Sequence, residues 1–453
     1  MYRVYVGRNA EECTLTLDNN SRVYAQQLFL MYGGDGSCAL NILRGSGLFL
    51  SSNDTPFYTD NRNNSGSGKI IISGDGSILS APNSDFRVGN SVPNHLLVVS
   101  NNASLVANEL VIGNGDAATG SRVLVADGAT LTATDISIRN SGCGITVSNA
   151  TLVVNSTAGD AIQVGRKDGT GGEFVLSGEN ACLNYERNTN NRIEVFTPDS
   201  GNAEFRIENN ATWNSIMTLR SAIKTSNSVF RVTSGGSLVV GQDGTGTLEF
   251  GPGTGEYNPA LSLSNRFEVC DGGSLQLRQI RLNGNGNEFV VSNATVTFDQ
   301  TSNDDNEIRL GYKAPKWTGT SWVNRDCALV LRGQNPQIVA PKTSLYIDSG
   351  SALRFEIPAE GYANGVIPIQ VNKLAYGNYE SHGEIEVDCS AFMAKGGKLT
   401  LMTVEANDGL TTDKATAVIE TARATLPEGC TLTVENKKLV LRCPRRRFVF
   451  SVR

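Results

Sequence analysis

The stretch Val123-Leu-Val-Ala-Asp-Gly-Ala-Thr-Leu-Thr-Ala-Thr-Asp-Ile-Ser-Ile-Arg-Asn-Ser-Gly142 decides the fold. Apolar side chains alternate with others in short runs at 123–126, 130–133 and 136–138. Period-two alternation marks a strand with one face buried. The joints between runs are Asp127-Gly128-Ala129, Thr134-Asp135 and the turn from Arg139 to Gly142. Gly and Asp adopt positive φ at little cost, so the first joint reads as a tight backbone corner. Three short strands per unit suit a wound coil of triangular section.

The unit recurs along the chain. Phe230-Arg-Val-Thr-Ser-Gly-Gly-Ser-Leu238 and Phe267-Glu-Val-Cys-Asp-Gly-Gly-Ser-Leu275 repeat its first half. Eight copies place the corner at Asn20, Asp75, Asn102, Gly128, Asn210, Gly235, Gly272 and Gly350, always a Gly, Asn or Asp. Two copies, over 147–152 and 291–296, are one residue shorter. The third strand usually ends in Gly, as at Val88-Gly89, Ile112-Gly113, Val164-Gly165 and Leu310-Gly311. The Ser/Thr that follows the corner falls at 77, 104, 130 and 151, spacings of 27, 26 and 21 residues. That is a solenoid period. Recurrent Asn at Asn102, Asn149, Asn210 and Asn293 predicts a stacked side-chain ladder. A competing reading takes each corner as a type I′ hairpin and the chain as antiparallel. Three strands per unit at a sustained period favour the wound coil.

A chain of 453 residues would ordinarily hold two or three domains, but a solenoid grows in one dimension. Its net charge of −6 argues against nucleic acid or an anionic membrane as partner. The run Arg445-Arg446-Arg447 belongs to a basic, solvated tail at 444–453. No stretch is long and apolar enough to cross a bilayer, and the N-terminus has no signal-peptide core. Val4-Tyr-Val-Gly-Arg8 already copies the third-strand phrase. The expectation is a start in mid-coil, with the true start and any export signal upstream and an uncapped edge prone to self-association.

The nine Cys include no CxxC pair and the two His are His95 and His382, so no metal or cofactor is expected. Both histidines read as ordinary surface or turn residues. If Asn436-Lys437 turns a hairpin, Val434 faces Leu439, Leu432 faces Leu441 and Cys430 faces Cys443. That pairing leaves a disulfide or two buried thiols as alternatives. Sequons such as Asn149-Ala-Thr151 are copies of the corner, so turn chemistry explains them.

Three stretches break the pattern: 53–67 with Phe57 and Tyr58, the Gly/Pro-rich 251–259, and 299–325. The last carries Asp304, Asp305 and Arg309, then Trp317 and Trp322. Carboxylates beside a cation, near rings able to stack on a sugar, make these a candidate glycan site. The plainer reading is an acidic turn followed by aromatics that cover the coil. No convergent catalytic set is legible. Beyond residue 360 the repeat fades, and strands at 383–389, 398–404 and 430–443 with a short helix at 412–424 are expected to cap the coils of 1–360.

The corner phrase and the Val-Gly-Asn phrase (Val88-Gly-Asn90) resemble the passenger-type right-handed β-helices of autotransporter-like surface proteins, in the pectin-lyase-like superfold. The closing segments Gly383-Glu-Ile-Glu-Val-Asp-Cys389, Lys398-Leu-Thr-Leu-Met-Thr-Val404 and 426–441 are similar to the way such passengers end. The resemblance implies an all-β, right-handed parallel β-helix with a small C-terminal β-rich cap over 361–443. It also implies an exported or cell-surface, adhesin-like module without catalysis, with glycans or cell-surface proteins as partners. The superfold includes pectate-lyase-like enzymes, so a carbohydrate binder, or a polysaccharide lyase or hydrolase, is the alternative.

Overall fold

The computed structural model describes residues 3–7, 12–30, 36–51, 57–59, 66–156, 161–165, 171–185, 192–196, 200–215, 218–221, 225–241, 244–251, 263–299, 306–311, 326–377 and 382–445. The chain divides into two compact units, 1–230 and 231–453. Each is wound as a right-handed parallel β-helix, the hand that right-twisted strands favour in parallel crossovers.

In the first unit each coil contributes one strand to each of three faces. The first face holds Arg3–Val6, Gln27–Leu30, Phe57–Tyr58, Phe86–Val88, Glu109–Ile112, Asp135–Ile138 and Ile162–Val164. The second holds Glu12–Leu17, Ser37–Leu43, Gly68–Ser73, Leu96–Ser100, Arg122–Ala126, Gly144–Ser148, Glu173–Ser177 and Glu204–Glu208. The third holds Arg22–Ala25, Gly47–Leu50, Ile78–Ala81, Ser104–Ala107, Thr130–Ala133, Thr151–Val154 and Cys182–Tyr185. The pairing is parallel.

Parallel stacking in exact register sets each inward side chain over its counterpart. One column runs Leu40, Ile70, Leu97, Val123, Ile145, Phe174, Phe205. On the third face the Leu of the repeated phrase forms its own column: Leu79, Leu105, Leu131, Leu152, Leu183. These side chains are buried, and full burial of each stabilises by about 1.5–3 kcal/mol relative to exposure. Phe174 and Phe205 stack at 4.4 Å, and Phe205 and Phe230 at 4.7 Å, with Trp213 against Phe205.

The corner between second and third faces has the expected chemistry and the expected place between two strands of one coil. Two successive residues are left-handed: Asn101 (φ 55°) and Asn102 (60°), Asp127 (53°) and Gly128 (75°), Asn209 (54°) and Asn210 (64°). The N–H of the next residue bonds back across the turn, Ala103 to Ser100 O at 3.2 Å and Ala129 to Ala126 O at 3.1 Å. This is type I′ geometry, normally the mark of a hairpin. Here the flanking strands pair with neighbouring coils instead of with each other, which overturns the antiparallel reading. The ladder passes through the corner itself, with Asn102 N–H on Asp127 O at 3.0 Å and Gly128 N–H on Asn149 O at 2.8 Å. Asn20 (59°), Gly235 (77°), Gly272 (80°) and Gly350 (70°) are also left-handed. At Asp75 the left-handed residues are its neighbours, Gly74 (99°) and Gly76 (72°).

The corner asparagines do not form an Asn-on-Asn ladder. Asn102 lies over Gly128 and Asn149 over Gly178, each where a Cβ on that glycine would collide with the amide oxygen. Where a Gly in the next coil follows a corner Asn, the missing Cβ gives the side chain the space it needs.

The second unit repeats the plan. Its longest face holds Arg266–Cys270, Asn287–Ser292, Cys327–Arg332, Ser351–Glu356 and Glu384–Asp388. A second holds Thr247–Phe250, Gln279–Leu282, Glu307–Leu310, Ser344–Ile347 and Leu374–Ala375. The third runs Ser237–Val240, Ser274–Leu277, Thr295–Phe298, Gln337–Ala340, Ile369–Val371 and Gly397–Val404. There the order changes. Gly397–Val404 pairs antiparallel with Lys438–Cys443, which pairs antiparallel with Thr431–Glu435. A hairpin thus occupies the edge that a further coil would have extended. The helix Asp413–Thr425 packs on Glu384–Asp388 through Ala415, Val418, Ile419 and Ala422. Thr412 caps it by accepting from the Ala415 N–H at 3.1 Å, and Pro427 follows its end.

Candidate functional site

Of the residues proposed from sequence for glycan binding, Arg309 is placed by the strand Glu307–Leu310. Asp304, Asp305, Trp317 and Trp322 lie outside the described residues. Alternation buries Ile308 and Leu310 and turns Glu307 and Arg309 outward. The Arg309 guanidinium donates from Nε to Asp348 Oδ2 at 2.8 Å and lies 3.6 Å from Glu307. It also sits 5.4 Å from the centre of the Tyr346 ring. Asp348 is buried and accepts the Gly377 N–H at 2.6 Å. Glu307 bridges on to Arg281, which reaches Glu249. The Arg309 charge is therefore matched in place, as part of an alternating row that staples successive coils.

The same device recurs on the longest face of each unit. In the first, Arg122 and Arg206 share Glu173 at 2.6 and 2.7 Å, and Arg206 also meets Glu204 and Glu208. In the second, Arg231, Glu268, Arg266, Glu288, Arg354 and Glu386 form a chain of contacts between 2.6 and 3.5 Å. Networks of this kind hold their geometry better than isolated surface pairs. A charged ligand on these faces would have to displace an arginine or a glutamate from its partner.

Connections between faces divide by edge, most clearly in the first unit. From second face to third in the first unit they are two to four residues long, for example 101–103, 127–129 and 149–150. From first face to second they range more widely, for example 89–95, 113–121 and 139–143. In the second unit the equivalent junctions are 271–273 and 293–294 on one side, but 251–265, 283–286 and 311–326 on the other. In the first unit that edge is fixed by the left-handed corner and length variation falls on the other two; in the second unit the corner edge also takes an insertion, at 357–368.

Hollows in the described surface include one in each unit. In the first unit one of about 520 Å³ is lined by Tyr24, Gln26, Phe49, Ser80, Pro82 and Asn83 among others. Tyr24 is 73% exposed and stacks on Phe49 at 5.0 Å and 16°, its partner in the parallel register. A flat aromatic face beside two carboxamides suits a sugar ring, whose C–H groups pack on π-systems while its hydroxyls bond to amides. Sequence reading missed this pair; the outward aromatics at matching positions of successive coils were the available signal. In the second unit a hollow of about 350 Å³ is lined by Asp326, Ser349–Ala352 and His382–Glu384.

Within 53–67, Phe57 is buried in the first face, while Tyr58 faces outward with the Arg87 guanidinium 5.2 Å above its ring. His95 corrects an expectation: it is buried, and its Nδ1 accepts the Gly68 N–H at 2.9 Å. The ring proton is thereby assigned to Nε2. The hairpin at Asn436-Lys437 forms with the expected register, Leu432 opposite Leu441 and Val434 opposite Leu439. Cys430 and Cys443 carry free thiols. No helix among the described residues is long and apolar enough to cross a membrane. No family model, no curated protein and no solved structure matches the chain.

Proposed function

We propose that the chain is a non-catalytic β-helical module of the autotransporter-passenger type, exported or displayed at a cell surface, which holds interaction loops along a rigid coil. The observation that carries this reading is the division of the connections in the first unit: the edge with the left-handed corners spans only two to four residues at each coil, while the other two junctions vary more widely. A scaffold with loops of free length on fixed edges is the arrangement on which binding sites are commonly built. The outward arginines and glutamates support it, because they are engaged in holding coils together.

A second reading, glycan binding, is favoured by the Tyr24–Phe49 platform and its neighbouring Gln26 and Asn83. A glycan array combined with a lyase and hydrolase screen separates the two. Binding of neutral or acidic glycans lost in Tyr24→Ala supports the second reading. Calcium-dependent turnover of an acidic polysaccharide, abolished in Asp304→Ala/Asp305→Ala, would overturn the non-catalytic one.

A further inference from the structure

Three cysteines distant in sequence meet at the C-terminal end of the second unit. Cys389 follows the strand Glu384–Asp388, Cys430 precedes the hairpin strand Thr431–Glu435, and Cys443 ends its partner Lys438–Cys443. The three sulfurs lie within 4.8 Å of one another, and Cys389 Sγ is 3.9 Å from Cys430 Sγ. Cys389 and Cys443 are buried and Cys430 is half-buried.

We propose that Cys389, Cys430 and Cys443 form a binding site for one thiophilic metal ion of the zinc or copper(I) class. Metal–thiolate bonds of about 2.3 Å in a tetrahedral shell set sulfurs roughly 3.8 Å apart, close to the separation of Cys389 and Cys430. A disulfide would need about 2.05 Å and would use two of the three sulfurs. Three soft sulfurs with no histidine or carboxylate among them select ions that prefer thiolate. The fourth tetrahedral position is left to water or an outside ligand, whereas copper(I) is satisfied by three.

Without an ion the buried sulfurs are held as neutral thiols. Burial, followed by the neighbouring Cys430, pushes the Cys389 thiol up to about 11, and burial pushes the Cys443 thiol up as well. Each thiol gives up its proton as its sulfur binds, so one ion displaces three protons. The ion would tie the closing hairpin to the last long-face strand. That link is absent from the unfolded chain, so binding would stabilise the fold.

The test uses the full chain, purified in reductant, stripped with chelator and titrated with Cd²⁺ or Zn²⁺ alone. The expected results are a cadmium–thiolate charge-transfer band saturating at one equivalent, a raised unfolding midpoint with Zn²⁺, and ion-dependent protection from alkylation at these three cysteines alone. Cys430→Ala, at the least buried position, should keep the circular dichroism of the parent and lose about a hundredfold or more in affinity. The proposal is overturned by the absence of a saturating band, by an undiminished band in folded Cys430→Ala, or by ion-dependent protection at other cysteines. A Cys430–Cys443 disulfide in freshly isolated protein would likewise overturn it. None of these outcomes bears on glycan binding.

Discussion

Gly272 isolates the backbone contribution of the repeated corner. It stands at φ 80°, and the nearest atom to a Cβ built there is the Gly235 nitrogen at 3.9 Å. Space is open, so a substitution there costs backbone strain and little else. An L-residue in the left-handed region costs about 1–2 kcal/mol, and a β-branched one lies at or above the top of that range. Gly272→Val should therefore destabilise the second unit by about 2–3 kcal/mol. Any relaxation of φ would also threaten the bond from Gly272 N–H to Asn293 O, now 2.8 Å. Asn occupies equivalent corners at φ 59°, 60° and 64° (Asn20, Asn102, Asn210), so Gly272→Asn should cost less than about 1 kcal/mol. Urea unfolding followed by circular dichroism measures both, with midpoint shifts converted through a common slope. Gly128→Val is the contrasting case, because its Cβ would also strike the Asn102 side chain; it should cost about 1–3 kcal/mol more than Gly272→Val. If Gly272→Val unfolds within about 0.5 kcal/mol of the parent, or no differently from Gly272→Asn, the left-handed corner does not hold the coil as argued.

Other perturbations reach other parts of the structure. Arg309→Met strands the buried Asp348 carboxylate and should cost about 3 kcal/mol in urea unfolding, most of it recovered in Arg309→Met/Asp348→Asn; additive losses would refute the pairing. Trp213 is fully buried, and its Nε1 finds no partner among the described residues. Trp213→Phe should therefore cost less than about 1.5 kcal/mol while Trp213→Ala costs about 3–5 kcal/mol, and equal losses would contradict this. Lys398, then Arg442 and Thr433, hold Glu435 at about 2, below the usual carboxylate range. Its contribution is thus fully present above the ordinary Glu value and is lost as pH falls towards 2. Hydrogen exchange in the hairpin should quicken over that window in the parent and change less in Glu435→Gln; identical profiles would exclude Glu435 as the cause.

Much of the fold is written locally. Period-two alternation places Leu105, Leu131 and Leu152 inward without reference to the rest of the chain. The Asn/Asp-Gly corner and the Asn436-Lys437 turn likewise depend on residues within a few positions of one another. What such a reading omits is what lies above and below. Asn102 over Gly128 and Arg309 on Asp348 are contacts between coils. Tyr24 on Phe49 and Cys389 beside Cys430 and Cys443 also join residues remote in sequence. Coil spacing varies because the loops vary, so no fixed offset announces those meetings.

The sequence by itself determined a stacked, three-stranded coil and its corners, because dihedral preference and side-chain alternation act over two or three residues. The tertiary structure settled the two readings of that corner, the favoured coil step and the competing hairpin, and added contacts that no spacing announces. It turned a hairpin-type corner into a step between faces, because each strand's hydrogen bonds were completed by the neighbouring coil. It also gathered three thiols that no spacing connects, because the closing hairpin folds back onto the last coil.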